Sequence, residues 1–305
     1  MSMPINTGTL SKLLWPGAST VFDGMYADFP EVYSQIFKTV KIDRNFIEDV
    51  MFAGFGLLSQ KAEGAPINYD SIRQSFTTRY TPVVYASGFI ITREAYEDNL
   101  YKSQMELKAS SLAKATKQTR EVIVNNVLNR AFNGSFVGGD GVALIVSTHP
   151  NVSGGTSSNV LTTAANLSEA AIEDMFIQIM IATDDRGLKA NYQPNKLVIP
   201  PQLKFEADRI LKTTQRVGTP NNDISALNAM GPFPGGVVVN RYLTSSTAWF
   251  VLTDEDSNGL KYVERRGDEF GTDNDWETEN AKYKVTSRYT AGWTDWRNIY
   301  GTPGV

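Results

Sequence analysis

The stretch TREAYEDNLYKSQMELKASSLAKATKQTREVIVNNVLNRAF, from Thr92 to Phe132, contains neither glycine nor proline. Asn133-Gly134 follows it, and this pair is a common stop signal for a helix. Acidic residues gather near its start and basic residues near its end, which complements the helix dipole. We therefore predict one helix over 92–132, about 60 Å long at 1.5 Å per residue. Tyr96, Leu100 and Leu107 form one apolar stripe along it, and a second stripe contains Ile123, Val127, Leu128 and Ala131. A helix of this length exceeds what a globular core needs, so we expect a spine that other segments cover.

The sequence before this helix is typical of β-structure. Residues 72–81 and 83–91 are rich in β-branched and aromatic side chains, and a third β-like run covers 52–58. A polar turn segment, 61–66, separates the run 52–58 from the two runs that follow it. We interpret 46–91 as a long two-stranded hairpin, which is marginally stable alone and needs a partner surface.

The first 45 residues combine glycine and proline with scattered aromatic side chains, including Trp15 and Phe22. Because disordered tails contain few aromatics, we expect this arm to bury itself against the chain's own core or a neighbouring subunit.

After residue 133 the patterns of helix and strand alternate. Asn166 or Ser168 can cap a helix over 167–182, and Pro200-Pro201 opens another over 202–212. Short strands are predicted at 196–199, 237–240, 248–253, 260–264 and 283–289. The fold class is therefore α+β.

Composition excludes several functional classes. The 305 residues are 41% hydrophobic and 20% charged, which is the composition of a globular chain. The absence of cysteine excludes disulfides, thiolate catalysis and cysteine-ligated zinc, and a single histidine excludes two-histidine mechanisms. The net charge of −4 gives no global footprint for tight binding to nucleic acid or to anionic membranes. With no signal peptide and no apolar run of about 18 residues, we expect a soluble cytoplasmic protein.

The single histidine raises the question of a hydrolase. His149 lies in Ser147-Thr-His-Pro150, and Asp140 is close by in the sequence. No Gly-x-Ser-x-Gly nucleophile motif is present, so we interpret His149 as a turn or packing residue. A His149-dependent hydrolase stays open as an alternative.

Two acidic patterns raise the question of a metal site. The segment 254–259, Asp-Glu-Asp-Ser-Asn-Gly, resembles the first half of a calcium loop, but the twelfth position is Arg265 instead of glutamate. Its strand-like flanks favour a hairpin turn at Asn258-Gly259, and a calcium-dependent adhesion protein is a distant alternative. Four alternating carboxylates would share one face of a strand: Asp273, Asp275, Glu277 and Glu279. We interpret them as a solvated loop, with salt bridges to another subunit or a metal as alternatives, and we predict no metal, no cofactor and no catalytic residue.

The arm, the hairpin and the long helix share one property: each is poorly stable alone and becomes stable when subunits overlap. The residues therefore favour a self-assembling structural protein over an enzyme.

An ordered set of motifs carries a family resemblance. It comprises Glu63-Gly-Ala-Pro-Ile67, Tyr80-Thr-Pro82, Gly88-Phe-Ile-Ile-Thr92, Ser147-Thr-His-Pro150, Trp249-Phe-Val-Leu252, Val263-Glu-Arg265 and Gly292-Trp-Thr-Asp-Trp-Arg297. In this order the segments resemble the tailed-phage major capsid proteins, in the branch similar to Mu-like head subunits. The first 45 residues match least.

The resemblance implies the tailed-phage capsid fold and a division of the chain. Its parts would be an N-terminal arm at 1–45, an extended β-hairpin loop at 46–91, a peripheral domain at 92–164 and 271–305 that contains the spine helix 92–132, and an axial domain at 165–270. Subunit-interface residues are expected in the arm and the loop: Trp15, Phe22, Lys61, Glu63, Pro66, Tyr69, Arg73, Arg79 and Tyr80.

The resemblance also implies a function. Hexamers and pentamers of the chain would form an icosahedral head shell that encloses double-stranded phage DNA without reading its sequence. The shell would assemble in the host cytoplasm and become the virion capsid, with a portal and a decoration protein as further partners and no membrane contact. Because Met1 is not followed by a long helical leader, a separate scaffolding protein is expected. An encapsulin-type shell around enzyme cargo is the alternative within the same fold.

Overall fold

The computed structural model describes residues 22–24, 30–97, 101–214, 224–255 and 258–305. The strands of this part of the chain are β1 (Lys38–Lys41), β2 (Ile47–Ala53), β3 (Arg73–Tyr80), β4 (Val83–Ile91), β5 (His149–Pro150), β6 (Thr156–Ser157), β7 (Pro194–Ile199), β8 (Val237–Val239), β9 (Trp249–Thr253), β10 (Leu260–Asn274), β11 (Ala281–Trp293) and β12 (Ile299–Thr302). Its α-helices are α1 (Arg93–Glu97), α2 (Tyr101–Asn129), α3 (Glu169–Ile181), α4 (Lys204–Lys212) and α5 (Ala226–Met230).

Two four-stranded sheets organise the molecule. The first has the order β1-β10-β11-β4, in which β10 and β11 form a long antiparallel hairpin and β1 joins β10 in parallel. The second has the order β12-β9-β7-β8, with β8 parallel to β7. Helix α2 packs against β11 and β4 of the first sheet. One continuous hydrophobic core joins the second sheet, helix α3 and the C-terminal half of α2.

The helix predicted over 92–132 is largely confirmed. Helices α1 and α2 occupy it and α2 ends at Asn129, while residues 98–100 lie outside the described part of the chain. The second apolar stripe is confirmed as a core face, since Leu128 and Ala131 are buried and Ile123 and Val127 are partly buried. The first apolar stripe is not a core face at Leu107, because this side chain is 72% exposed. The side chains of Tyr96 and Leu100 are not among those described.

The predicted hairpin is half right. Strands β2 and β3 pair as an antiparallel ribbon, whereas β4 leaves the ribbon and pairs with β11. The reason is aromatic packing: Tyr85 of β4 stacks on Tyr289 at a ring distance of 4.7 Å, and Phe89 stacks on Tyr283 at 4.8 Å. Strand β4 is therefore part of the first sheet and not of the ribbon.

Strand pairing crosses the expected boundary between the axial and peripheral domains at two places. Residues 260–270 belong to the first sheet through β10, although they were assigned to the axial domain. Residues 299–302 belong to the second sheet through β12, although they were assigned to the peripheral domain. The division into peripheral and axial domains itself stays a prediction.

Local signals had mixed outcomes. Ser168 caps α3, since its Oγ accepts a hydrogen bond from the Ala171 N–H at 3.2 Å. The hairpin turn at Asn258-Gly259 is wrong, because β9 and β10 lie in different sheets. Gly259 is instead required by close packing: a Cβ there would lie 2.1 Å from Cγ of Asn298.

Candidate subunit interface

The ribbon of β2 and β3 carries a long loop, residues 54–72, which we call the extended loop. Residues 54–72 form no strand, and many of their apolar side chains face solvent. Leu57 is 88% exposed, Leu58 is 96% exposed and Tyr69 is 88% exposed. Phe52, Phe55, Ile67 and Ile72 are also exposed by more than half. Large apolar side chains that are exposed close together are typical of an interaction surface.

The base of the ribbon is fixed by polar contacts with the first sheet. Asp49 Oδ2 accepts hydrogen bonds from Lys261 Nζ at 2.5 Å and from Thr294 Oγ1 at 3.2 Å. Tyr80 Oη in turn donates to Thr294 Oγ1 at 2.7 Å. Burial raises the pKa of the Tyr80 hydroxyl, so this group stays a neutral donor. These contacts link both strands of the ribbon to β10 and to the end of β11.

The glycine-rich segment 134–141 has a packing role at the same place. A Cβ on Gly139 would lie 2.6 Å from Thr78 Oγ1 and 2.8 Å from the carbonyl oxygen of Thr77, both in β3. A Cβ on Gly138 would lie 2.5 Å from Nε1 of Trp293. Glycine is needed here because two backbones approach closely.

Most of the predicted interface residues lie on the exposed ribbon and loop. Lys61, Glu63, Pro66, Tyr69 and Arg73 are exposed. Arg79 is exposed as well, but its guanidinium lies 3.8 Å from the ring centroid of Phe46 and its Nη1 lies 3.8 Å from Oε1 of Glu48. Their contact with another subunit stays a prediction.

Two of these residues are corrected by the structure, and a third cannot be placed. Tyr80 is 3% exposed, with its hydroxyl held by Thr294, so it offers no surface to a neighbour. Phe22 is 4% exposed and stacks on Phe270 at 5.0 Å, which buries this part of the arm against its own subunit. Trp15 lies outside the described residues.

Charged residues of α2 hold the segment that leads into β1, and sequence reasoning missed them. Glu121 accepts the Val32 N–H at 2.6 Å and the Tyr33 N–H at 3.2 Å. Lys117 Nζ donates to Glu31 at 2.8 Å. Burial raises the pKa of the Glu121 carboxyl, while the N–H groups of Val32 and Tyr33 oppose the shift. Lys117 and Glu121 are four residues apart in the sequence, a spacing common on solvated helix faces, so no sequence signal marked these side chains as buried.

His149 has the environment of a packing residue. It is fully buried, its ring stacks on Trp296 at 4.2 Å, and its Nδ1 lies 2.6 Å from Oδ2 of Asp140. Its Nε2 lies 3.1 Å from Oδ1 of Asn159, so neither nitrogen is left to activate Ser147, which is exposed. This arrangement joins segment 140–159 to the C-terminal region.

The four alternating carboxylates do not share one strand face. Strand β10 ends at Asn274, and Asp275 lies in the turn that follows, where its N–H donates to the carbonyl of Asn280. Asp275 Oδ2 accepts from Lys282 Nζ at 2.7 Å, and this bond holds the pKa of its carboxyl below the ordinary value. Glu279 pairs with Arg93. Within the described residues, no group of three or more acidic or histidine side chains is placed to hold a metal ion.

Among the helices that the structure describes, none is both long enough and apolar enough to cross a bilayer.

Comparison with protein families gives one match that covers most of the chain. The profile of a family described as phage capsid protein matches residues 75–301. No curated protein shows a significant match.

Solved structures similar to this chain are particles and capsids. A virus-like particle from Pyrococcus furiosus superposes with a TM-score of 0.56 at 10% identity, covering 95% of this chain and 99% of that one. The procapsid of bacteriophage JBD30 gives a TM-score of 0.54 at 15% identity, with 96% of this chain and 75% of that chain covered. The capsid of the native GTA particle gives 0.52 at 12% identity, with 89% of each chain covered. At these identities the likeness shows a shared fold.

Proposed function

The chain belongs to the phage capsid protein family, and from that membership we propose that it builds the shell as hexamers and pentamers of one subunit. It is a major capsid protein of an icosahedral phage head, and the shell encloses double-stranded DNA. The exposed apolar surface of the extended loop is the observation that supports assembly through this loop.

The mechanism is mechanical. Burying one leucine side chain stabilises a contact by about 1.5–3 kcal/mol, so Leu57 and Leu58 can supply much of one modest interface. A closed lattice repeats that interface many times, and the repeated contacts act together. The net charge of −4 fits a shell that encloses DNA without binding it tightly.

Further partners complete the proposal. A separate scaffolding protein would guide closure, a portal would occupy one vertex, and a decoration protein would bind the finished shell. Assembly would take place in the host cytoplasm, and the chain would catalyse no reaction. The contacts of His149 support the non-enzymatic proposal, because Asp140, Asn159 and Trp296 surround the ring.

A second candidate is an encapsulin-type shell around enzyme cargo. The likeness to the Pyrococcus furiosus particle favours it, since the two chains share a fold over nearly their whole lengths. Shells purified from the native host distinguish the two. Cargo protein identified by mass spectrometry would point to the second candidate, and DNA extracted from the shells would point to the first.

The loop hypothesis is tested by the double variant Leu57→Ser, Leu58→Ser. We expect a folded subunit with a wild-type circular dichroism spectrum and no closed shells by electron microscopy, because the apolar contact area is lost. The matched control is Ser59→Ala, Gln60→Ala, which changes two exposed polar residues of the same loop and should assemble normally. Intact shells from the leucine variant would refute assembly through this surface.

A further inference from the structure

The extended loop is tied to the body of the subunit by one arginine from a distant turn. Arg186 lies between α3 and β7, and its Nη2 donates to the carbonyl oxygen of Ser71 at 2.7 Å. The same nitrogen lies 3.4 Å from Oδ1 of Asp70. The Arg186 side chain is only 13% exposed. The side chain is therefore mostly buried where it meets the loop.

Asp70 joins the beginning of the extended loop to its end. Its Oδ2 accepts the N–H of Gly56 at 2.9 Å, and its Oδ1 accepts the N–H of Ser71 at 2.8 Å. The carboxylate thus connects the beginning of the loop to its end, and Arg186 connects this linked pair to the body of the subunit. We call these four residues, Gly56, Asp70, Ser71 and Arg186, the loop clasp.

The turn that presents Arg186 is itself well defined. Asp184 Oδ1 accepts the N–H groups of Arg186 at 2.8 Å and of Leu188 at 2.9 Å. Gly187 adopts a left-handed conformation, with φ of 81°, which a turn of this kind requires. Because these hydrogen bonds fix the backbone of Arg186, the contact with the loop costs little further backbone conformational entropy.

A cleft of about 110 Å3 lies between ribbon residues 51–54 and the pair Asp184-Asp185, although Met51 and Ala53 are themselves buried. Strand pairing also ends here, since β2 stops at Ala53 and β3 begins at Arg73. The clasp is therefore the polar contact that holds the loop beyond the end of the paired strands.

We propose that the loop clasp sets the direction in which residues 57–69 project from the subunit, and that Arg186 is a positioning residue for shell assembly. Its role in assembly rests on the proposed function. The ribbon is attached at its base by Asp49 and Tyr80 and farther out by the clasp. The paired strands are packed on the body as far as Ala53, which is buried, whereas residues 54–72 form no strand, so the clasp is the contact that can define the angle of the loop beyond them. A neighbouring subunit can bury Leu57 and Leu58 efficiently only when the loop holds both side chains at a defined position.

The direction of the loop can be measured on the unassembled full-length subunit. Because the chain has no cysteine, Glu63→Cys at the loop tip and Lys204→Cys on α4 provide two unique sites for spin labels. Electron–electron double resonance then reports the distribution of distances between them. We expect one narrow distribution for the labelled protein and a distribution about twofold broader when Arg186→Ala is added. An unchanged width would overturn the proposal.

Two further variants separate positioning from general damage. Arg186→Lys should restore most of the narrow distribution, because both clasp contacts come from a single nitrogen that an ammonium can replace. Arg209→Ala removes an exposed arginine that pairs with Glu206 on α4, and it should leave the width unchanged. Broadening in Arg209→Ala would show that loss of any ion pair suffices, which contradicts the assignment.

Assembly is a separate readout. We expect Arg186→Ala to lower the yield of closed shells about tenfold, while the melting temperature of the subunit shifts by no more than about 2 °C. Normal shells from Arg186→Ala would overturn the assembly role even if the distances broaden. Failure of the unaltered chain to form shells would instead count against the proposed function, and the distance measurement would still decide the role of the clasp.

Discussion

At the scale of single residues, two aspartates fix the projecting ribbon at two points. Asp49 binds Lys261 and Thr294 at the base, and Asp70 binds Gly56 and Ser71 where the loop begins. Neither residue stands out in the sequence, because neither belongs to a motif with a recognisable function. The partners of Asp49 are more than 200 residues away in the sequence, so local patterns cannot reveal them.

Acid should weaken the Asp70 contacts. Hydrogen bonds from the Gly56 and Ser71 N–H groups, with the Arg186 guanidinium nearby, hold the pKa of Asp70 below its ordinary value of 3.8. Because the folded pKa is the lower one, the ionised carboxylate favours the ordered loop above about pH 4, and this contribution is lost as pH falls through the folded pKa. The amide proton shift of Gly56, followed by NMR, should titrate with a midpoint below 3.8.

The variant Asp70→Asn is the control for this titration. It keeps the shape of the side chain and removes the titrating carboxyl, so the Gly56 amide should show no such midpoint. A midpoint at or above 3.8 in the unaltered protein would contradict the account of the Asp70 contacts.

At the scale of elements, hydrophobic periodicity and the positions of glycine and proline were sufficient for α1 to α4 and for most strands, whereas α5 and the short strands β1, β5, β6 and β12 were not predicted. The absence of glycine and proline over 92–132, followed by Asn133-Gly134, predicted α2, because helix formation depends on neighbours within a few residues. The same reasoning failed for the partner of β4. Strand pairing there depends on Tyr283 and Tyr289, which lie about 200 residues later and stack on Phe89 and Tyr85.

Interrupting α2 should disrupt the subunit. Proline at position 107, introduced as Leu107→Pro, removes a helical hydrogen bond and clashes with the preceding turn, at a cost of about 3 kcal/mol. Urea unfolding followed by circular dichroism measures the change. Leu107→Ala is the matched control, because the leucine is 72% exposed and its loss should change stability by less than about 0.5 kcal/mol. Equal stabilities for the two variants would show that α2 does not require continuity at this point.

At the scale of the whole molecule, family membership and the exposed loop lead to the same account. The sequence pointed to overlapping subunits because the arm, the hairpin and the long helix looked unstable alone. The structure changes part of this picture, since Phe22 is buried within its own subunit and the loop is the exposed element. Contacts between copies cannot be derived from one chain, because the surfaces that meet are defined only in the lattice.

The most direct test of the central claim is electron microscopy of the purified full-length chain, expressed alone and together with its presumed scaffolding protein. We predict closed shells, tens of nanometres across, in at least one of the two preparations. Class averages should show six-fold and five-fold capsomers. Monomers or small rings alone, even with the scaffolding protein supplied, would contradict the assignment as a self-assembling capsid subunit.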